Sequence, residues 1–473
     1  MPATPADFAI STADKDPPHE FLHTLEQLAG AGVPFPDPAT NGYPPVDNSG
    51  FVSAYRAAGA PIPAKVMNCF APDQLPVLTT LAREFAVCDH WYSSLPGPTW
   101  PNRFFAHAAS SGGLDDSPSG FEVATSTLID GYRFWNGTIF DRLEAACIDW
   151  EVFEGDEFPV TFALSGMNLY ALAGHFTDFE DFRDRIGQPD YAPGYAFIEP
   201  NYGNILPTTT EDFTCGNSQH PLDDVARGER LIKDVYEALR SSPHWETSVL
   251  IVTYDEHGGF YDHRPPPQAV APGDPISDPD NDHHHFDFRQ LGVRVPAVVI
   301  SPFVRRGTID HTQYDHSSIT ATVERVFGLA SLTARDAAAR DVLHLLQLPT
   351  ARTDAPVTLP EAADSGFVCM SDPQAAMATP APELRLAMEV RPVPSTMRGF
   401  LHVAFRRRLE SIPWEDKAAR EALVARFLTI RNEYEARAFI HDTRLLIRAR
   451  RRTPRPVQTI RGRDNSPPPA TNR

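Results

Sequence analysis

Between residues 73 and 327, short apolar β-branched runs alternate with apolar stripes at helical spacing. Leu75, Leu78 and Leu81 predict a helix capped by Asp73, and Phe85–Cys88 reads as the strand after it. Thr138 opens a predicted helix over Ile139–Ala146, Ile148–Phe153 reads as a strand, and Phe176–Arg185 as a helix. Ala196–Ile198 is a short strand ending in Glu199-Pro200-Asn201-Tyr202. Ile232, Val235 and Leu239 then share one stripe of a helix that stops at Ser241-Ser242-Pro243. Val249–Thr253 is uninterrupted and β-branched, the pattern of a strand buried on both faces. Val295–Ile300 and Ile319–Phe327 give a further strand and helix, the helix capped by Ser317 or Asp315. This alternation predicts an α/β fold with a mainly parallel sheet and helices on both faces.

Outside that region the pattern weakens. A short amphipathic segment, His23–Leu28, precedes a loop rich in Gly, Pro and Asn. Residues 371–396 read as a linker between an α/β domain over 1–370 and a helical C-terminal extension over 397–448. In the extension, Leu423, Phe427, Ile430, Tyr434, Ala438 and Leu445 form a stripe along one long helix, Trp414–Arg448. The basic, proline-rich tail 449–473 is expected to be disordered.

Composition narrows the classes. A chain of 473 residues holds two or three folding units, or one large α/β domain with additions. Its 46 prolines favour long ordered loops over repeats or coiled coils. A net charge of −20 argues against nucleic acid as a partner, because phosphate backbones need basic surfaces. No run approaches the ~20 apolar residues of an integral membrane segment. Met1–Ala13 lacks the basic and apolar regions of a signal peptide, so the chain as written is expected to be cytoplasmic, and secreted or periplasmic if a leader lies upstream. Five scattered cysteines, without a CxxC pair, are expected as buried thiols rather than disulfides or zinc ligands.

The chemistry gathers at strand ends. Asp255 and Glu256 follow the Val249–Thr253 strand directly, where open α/β sheets place their ligands, and Gly258-Gly259 permits a sharp turn beside them. Two hard carboxylates on a stiff support suit a divalent cation, although an acidic loop after a core strand is also common. Gly97, Pro98 and Pro101 fix the backbone around one hydroxyl, Thr99, with Asn102 and Arg103 close behind. His257 and His263 are expected to orient neighbours, and His283-His284-His285 to belong to a mobile acidic loop rather than a metal tract.

Gly97–Arg103, His220-Pro221, Ser242-Pro243-His244-Trp245, Tyr254–His263 and Asp315-His316-Ser317-Ser318 occur in one order within residues 14–330. Together they resemble the bacterial phosphoesterase family of phospholipases C and acid phosphatases, a branch of the alkaline phosphatase superfamily. The resemblance implies a three-layer α/β/α sandwich that hydrolyses phosphate esters, phospholipids or small phosphomonoesters, through a covalent phospho-enzyme. It implies Thr99 as nucleophile, one divalent metal ion on Asp255 and Glu256, and His220 touching the phosphoryl group or protonating the leaving oxygen. His19, in Asp16-Pro17-Pro18-His19, resembles a second such histidine. Asn102, Arg103 and His316 would contact substrate; Arg103 could instead tie down the nucleophile loop, and His316 could be a structural residue at a helix start. The family opens with a strand and a Glu-Asn motif that supplies metal ligands, and no counterpart precedes His19. Two expectations follow: a metal-dependent phosphoesterase, or a shortened non-catalytic relative that keeps the fold and binds phosphorylated ligands.

Overall fold

The computed structural model describes residues 15–35, 42–118, 129–209, 213–276, 281–369 and 380–451. Among the described residues seven strands form two sheets: β1 (Ala86–Cys88), β2 (Trp150–Glu154), β3 (Phe176–Asp178), β4 (Tyr195–Glu199), β5 (Leu250–Thr253), β6 (Ala297–Ile300) and β7 (Thr308–Asp310). One sheet has the order β5-β6-β1-β7, the other β3-β2-β4. The smaller sheet is wholly parallel. In the larger, only β1 and β7 run parallel, with Ala86 opposite Thr308; β6 is antiparallel to both β1 and β5. The α/β expectation therefore holds, with a mixed sheet in place of a mainly parallel one. A continuous apolar run reports burial on both faces rather than direction: β6 is buried along its whole length yet antiparallel to both its neighbours.

The strand expected to be buried on both faces is half-exposed along its whole length. Among the described residues β5 has one neighbour, β6, and its free edge faces a cleft of about 230 Å³ shared with Phe197 and Ile198 of β4. Phe176–Asp178 is a strand rather than the start of a helix; the helix there is confined to Phe182–Ile186. Pairing with β2 accounts for the change, Val152 lying opposite Phe176.

Thr138 caps its helix through a reciprocal box with Asp141. Other caps differ from expectation. Pro76 starts the helix predicted from Asp73. Asp315 is occupied by an ion pair with Arg335 at 2.7 Å, and no side chain caps Ser317–Phe327.

The C-terminal region is not a separate unit. Helices Ser395–Glu410 and Glu433–Arg451 belong to the same apolar core as Trp100, Phe104 and Trp150, contributing Phe400, Phe405, Phe439 and Ile440. Gly399 is required there, because a Cβ would sit 1.9 Å from the Trp100 ring. The single long helix predicted over Trp414–Arg448 is broken: Lys417–Phe427 and Glu433–Arg451 are separate. The predicted linker carries a helix, Pro382–Glu389; residues 371–379 and the tail beyond 451 lie outside the described residues.

Cys215 and Cys369 form a disulfide, contrary to the expectation of free thiols throughout. Cys88 is the buried thiol, while Cys69 and Cys147 are exposed. The bridge closes across 154 residues, a pairing that spacing alone cannot reveal.

Candidate active site

A cavity of about 340 Å³ opens where the loops after β1, β4 and β5 meet, and Thr99, His19, His220, Asp255 and Glu256 all line it. Thr99 is the first residue of helix Thr99–Ala108, so its hydroxyl sits at the positive end of the helix dipole. The preceding loop is held by Asn102. Its Oδ1 accepts from the Leu95 N–H at 3.1 Å, and its Nδ2 donates to the Gly97 and Pro98 carbonyls at 3.0 Å each. Asn102 is fully buried, and its amide is spent on the loop rather than turned to the cavity.

Arg103 follows one turn after Thr99. Its Nε donates to Asp255 Oδ2 at 2.8 Å and its Nη1 to Glu199 Oε2 at 3.0 Å, with the guanidinium over the Tyr202 ring. The Tyr202 hydroxyl donates to the same Glu199 carboxylate, and the Thr161 N–H donates to its other oxygen at 2.8 Å. Burial opposes a charged guanidinium, but Tyr202, Asp255 and Glu199 outweigh it and hold Arg103 above its ordinary pKa. Arg103 makes the tie to Asp255 and Glu199 and also lines the cavity. Glu199 and Tyr202 were visible only as a strand end.

His316 is buried at the start of its helix. Trp91 Nε1 donates to His316 Nδ1 at 3.3 Å, and His316 Nε2 lies 2.6 Å from the Asp255 carbonyl. Burial lowers its pKa and keeps it neutral, as this donor and acceptor pairing requires. It braces the backbone of Asp255 and does not line the cavity.

Gly258 and Gly259 both take positive φ, 59° and 75°. A Cβ on Gly258 would meet Pro221 Cγ at 2.7 Å, and one on Gly259 would meet Pro17 Cβ at 2.6 Å. The glycine pair therefore lets the segments carrying His220 and His19 close onto the Asp255-Glu256 turn. His257 bridges Glu256 Oε2, 3.3 Å from Nδ1, and Gln27 Oε1, 2.7 Å from Nε2. It orients Glu256, as expected. His284 likewise pairs with Asp116 at 2.8 Å and stacks on Phe21, so it is anchored rather than part of a mobile loop.

His19 and Glu256 are both buried, and the charge of each acts on the other. Burial alone would push the His19 pKa down, but Glu256, Asp16 and Glu20 outweigh it and raise it to about 9. Burial would push Glu256 up, but the charge of His19, its contacts with His257 and the Gly258 N–H hold it at about 2. The pair is ionised across neutral pH.

Part of the wall is apolar. Trp100, Phe213 and Phe400 contribute to it, and the Phe400 ring lies 5.4 Å from Trp100 and 5.2 Å from Phe213. Phe400 comes from the region read as an appendage. No motif around Phe400 marks it for the cavity. Ser395, at the start of the same helix, donates to Glu20 Oε1 at 2.6 Å, one residue from His19.

The chain matches the Phosphoesterase family over residues 2–330. Non-specific phospholipase C3 of Arabidopsis thaliana is 39% identical over 362 residues, 74% of this chain and 65% of its own length. Non-specific phospholipase C6 of the same plant is 37% identical over 367 residues, with the same shares covered. Phospholipase C B of Mycobacterium tuberculosis is 31% identical over 366 residues, 72% of this chain and 68% of its own. The chain thus spans about two thirds (65%) of the length of the plant relatives. A solved alkaline phosphatase superfamily protein from Vibrio parahaemolyticus aligns over 59% of this chain and 65% of its own at 16% identity, with a TM-score of 0.32, too low to bear on the fold.

Proposed function

Because this chain belongs to the Phosphoesterase family, we propose that it hydrolyses phosphate esters with Thr99 as the nucleophile. The observation that carries this reading is convergence: one hydroxyl at a helix N-terminus shares a cavity with two imidazoles and two carboxylates. In the first step the Thr99 hydroxyl gives its proton to solvent as its oxygen bonds to phosphorus, and the bond to the leaving oxygen breaks, that oxygen taking a proton from His220, which solvent restores. His19, charged at neutral pH, faces the phosphoryl oxygens. Water then attacks the phosphothreonine, releasing the phosphorylated product and restoring the hydroxyl. The helix dipole favours both the threonine oxyanion and the phosphoryl charge.

Asp255 and Glu256 fit one face of a hard-cation site. Both line the cavity, and each is oriented by a fixed donor, Arg103 on Asp255 Oδ2 and the Gly258 N–H on Glu256 Oε2. A divalent cation held there would lower the hydroxyl pKa and draw charge from the phosphoryl oxygens. Two carboxylates supply fewer than the six or more oxygens such an ion takes, so water or substrate must complete the shell.

The apolar wall formed by Trp100, Phe213 and Phe400 favours an ester whose leaving group is hydrophobic, as the phospholipase C relatives' names suggest. The test is hydrolysis of p-nitrophenyl phosphate and p-nitrophenylphosphorylcholine, with EDTA or added divalent cations. The expected result is cation-dependent turnover with preference for the diester. A folded protein inactive on both substrates under every cation would support the non-catalytic, ligand-binding alternative.

A further inference from the structure

We propose that Asp16, His19 and His220 form a binding site for a borderline divalent ion of the Zn²⁺ class, separate from the Asp255-Glu256 pair. One ligand atom from each of the three lies within 4.8 Å of the others. His220 Nε2 is 3.8 Å from Asp16 Oδ2, and the two imidazole rings meet edge to face at 5.7 Å.

Two independent features prepare this cluster for a cation. Both histidines are oriented through the other ring nitrogen: His19 Nδ1 lies 2.7 Å from the Pro17 carbonyl and His220 Nδ1 2.7 Å from the Pro221 carbonyl. Each carbonyl takes an Nδ1–H, so the ion would bind at Nε2 of both rings and must displace the proton that His19 carries in the metal-free protein; the zinc-bound state and the proton-carrying state used in hydrolysis are alternatives of one site. Anchoring of this kind is the usual outer support of a metal-bound imidazole. The second feature is Asp16 Oδ1, which is buried without a hydrogen-bond partner. A buried carboxylate oxygen left unmatched is costly, and a cation removes that cost.

Pro17 and Pro18 stiffen the spacer between Asp16 and His19, and the Gly258-Gly259 turn packs on Pro17 and Pro221, next to both histidines. The donor set is two nitrogens and one carboxylate oxygen. That composition selects Zn²⁺ over Mg²⁺ or Ca²⁺, which prefer all-oxygen shells. An ion at about 2.0–2.2 Å from each ligand needs only modest closure of the present spacing. His19 and His220 also line the cavity, so the fourth position of the ion faces it.

The test uses the full chain, stripped with EDTA, reloaded with Zn²⁺ alone and passed through gel filtration before metal analysis. About one equivalent of zinc should remain. Asp16→Asn and His220→Gln should each weaken retention by at least ~100-fold, the upper range for losing a mere outer-shell partner. Asp255→Asn should retain the ion. Co²⁺ in place of Zn²⁺ should give a visible ligand-field band in the wild type and in Asp255→Asn, and none in Asp16→Asn. Zinc held equally by all variants, or lost in Asp255→Asn as in Asp16→Asn, would overturn the proposal. Retention is read without substrate, so this result stands apart from the outcome of the hydrolysis assays.

Discussion

Arg103 Nε donates to Asp255 Oδ2 at 2.8 Å across 152 residues, joining the helix that begins at Thr99 to the turn that ends β5. The same guanidinium reaches Glu199 at the end of β4. One side chain thus ties the helix that begins at Thr99 to both sheets.

Arg103→Gln should leave Glu199 buried with one charge partner fewer, and it releases Asp255. Removing one member of a buried pair costs roughly 3–5 kcal/mol. Urea unfolding should show that loss, and turnover should fall with it. Arg103→Lys keeps the charge but cannot serve both carboxylates in the planar fork, and should recover only part of the stability.

Gly259→Ala should be destabilised by about 1–3 kcal/mol, because its φ of 75° disfavours a side chain and the new Cβ would meet Pro17 at 2.6 Å. The displaced segment carries His19. Thermal melts and kcat should both fall, while Gly273→Ala, with only Ala334 at 3.8 Å, should show the backbone strain without the loss of kcat.

Phe400→Ala removes an aromatic ring from the cavity wall and from the core around Trp100. A buried phenylalanine lost in this way costs roughly 3–5 kcal/mol. Phe400→Leu should keep most of the stability yet raise KM for esters with hydrophobic leaving groups more than for p-nitrophenyl phosphate. Equal effects on both substrates would place Phe400 in the core alone.

The buried ion pair of His19 and Glu256 gives the metal-free protein a defined pH dependence. His19 has its folded pKa raised, from 6.5 to about 9, so its contribution is full below 6.5 and is lost as pH rises through 9. Glu256 is depressed, from 4.5 to about 2, so its contribution is full above 4.5 and is lost as pH falls through 2. Both act fully only between those unfolded values. Glu256→Gln should therefore reduce stability most near pH 5–6, and the gap from wild type should narrow above pH 9. Urea midpoints across pH, in EDTA, provide the comparison.

Much of this organisation was legible in the chain. The apolar runs located β1, β2, β4, β5 and β6, and the motif order brought Thr99, His19, His220, Asp255 and Glu256 to one cavity. What escaped depends on tertiary context. The continuous run of β6 marks burial on both faces but not direction, so its antiparallel pairing and the free edge of β5 lay outside what the sequence reveals. Asn102 and His316 carry motif positions, yet their hydrogen bonds turn inward to the loops that hold Thr99 and Asp255. Phe400 reaches the cavity from a segment that carries no motif, and Cys215 finds Cys369 only once the chain has folded.

The most direct test of the central claim is to acid-quench the protein during steady-state hydrolysis of p-nitrophenyl phosphate and map the phosphorylated peptide by mass spectrometry. Phosphate on Thr99, with turnover of Thr99→Ala reduced by roughly 10³-fold or more, is the predicted result. Phosphate on another residue, or undiminished turnover by Thr99→Ala, would contradict the account.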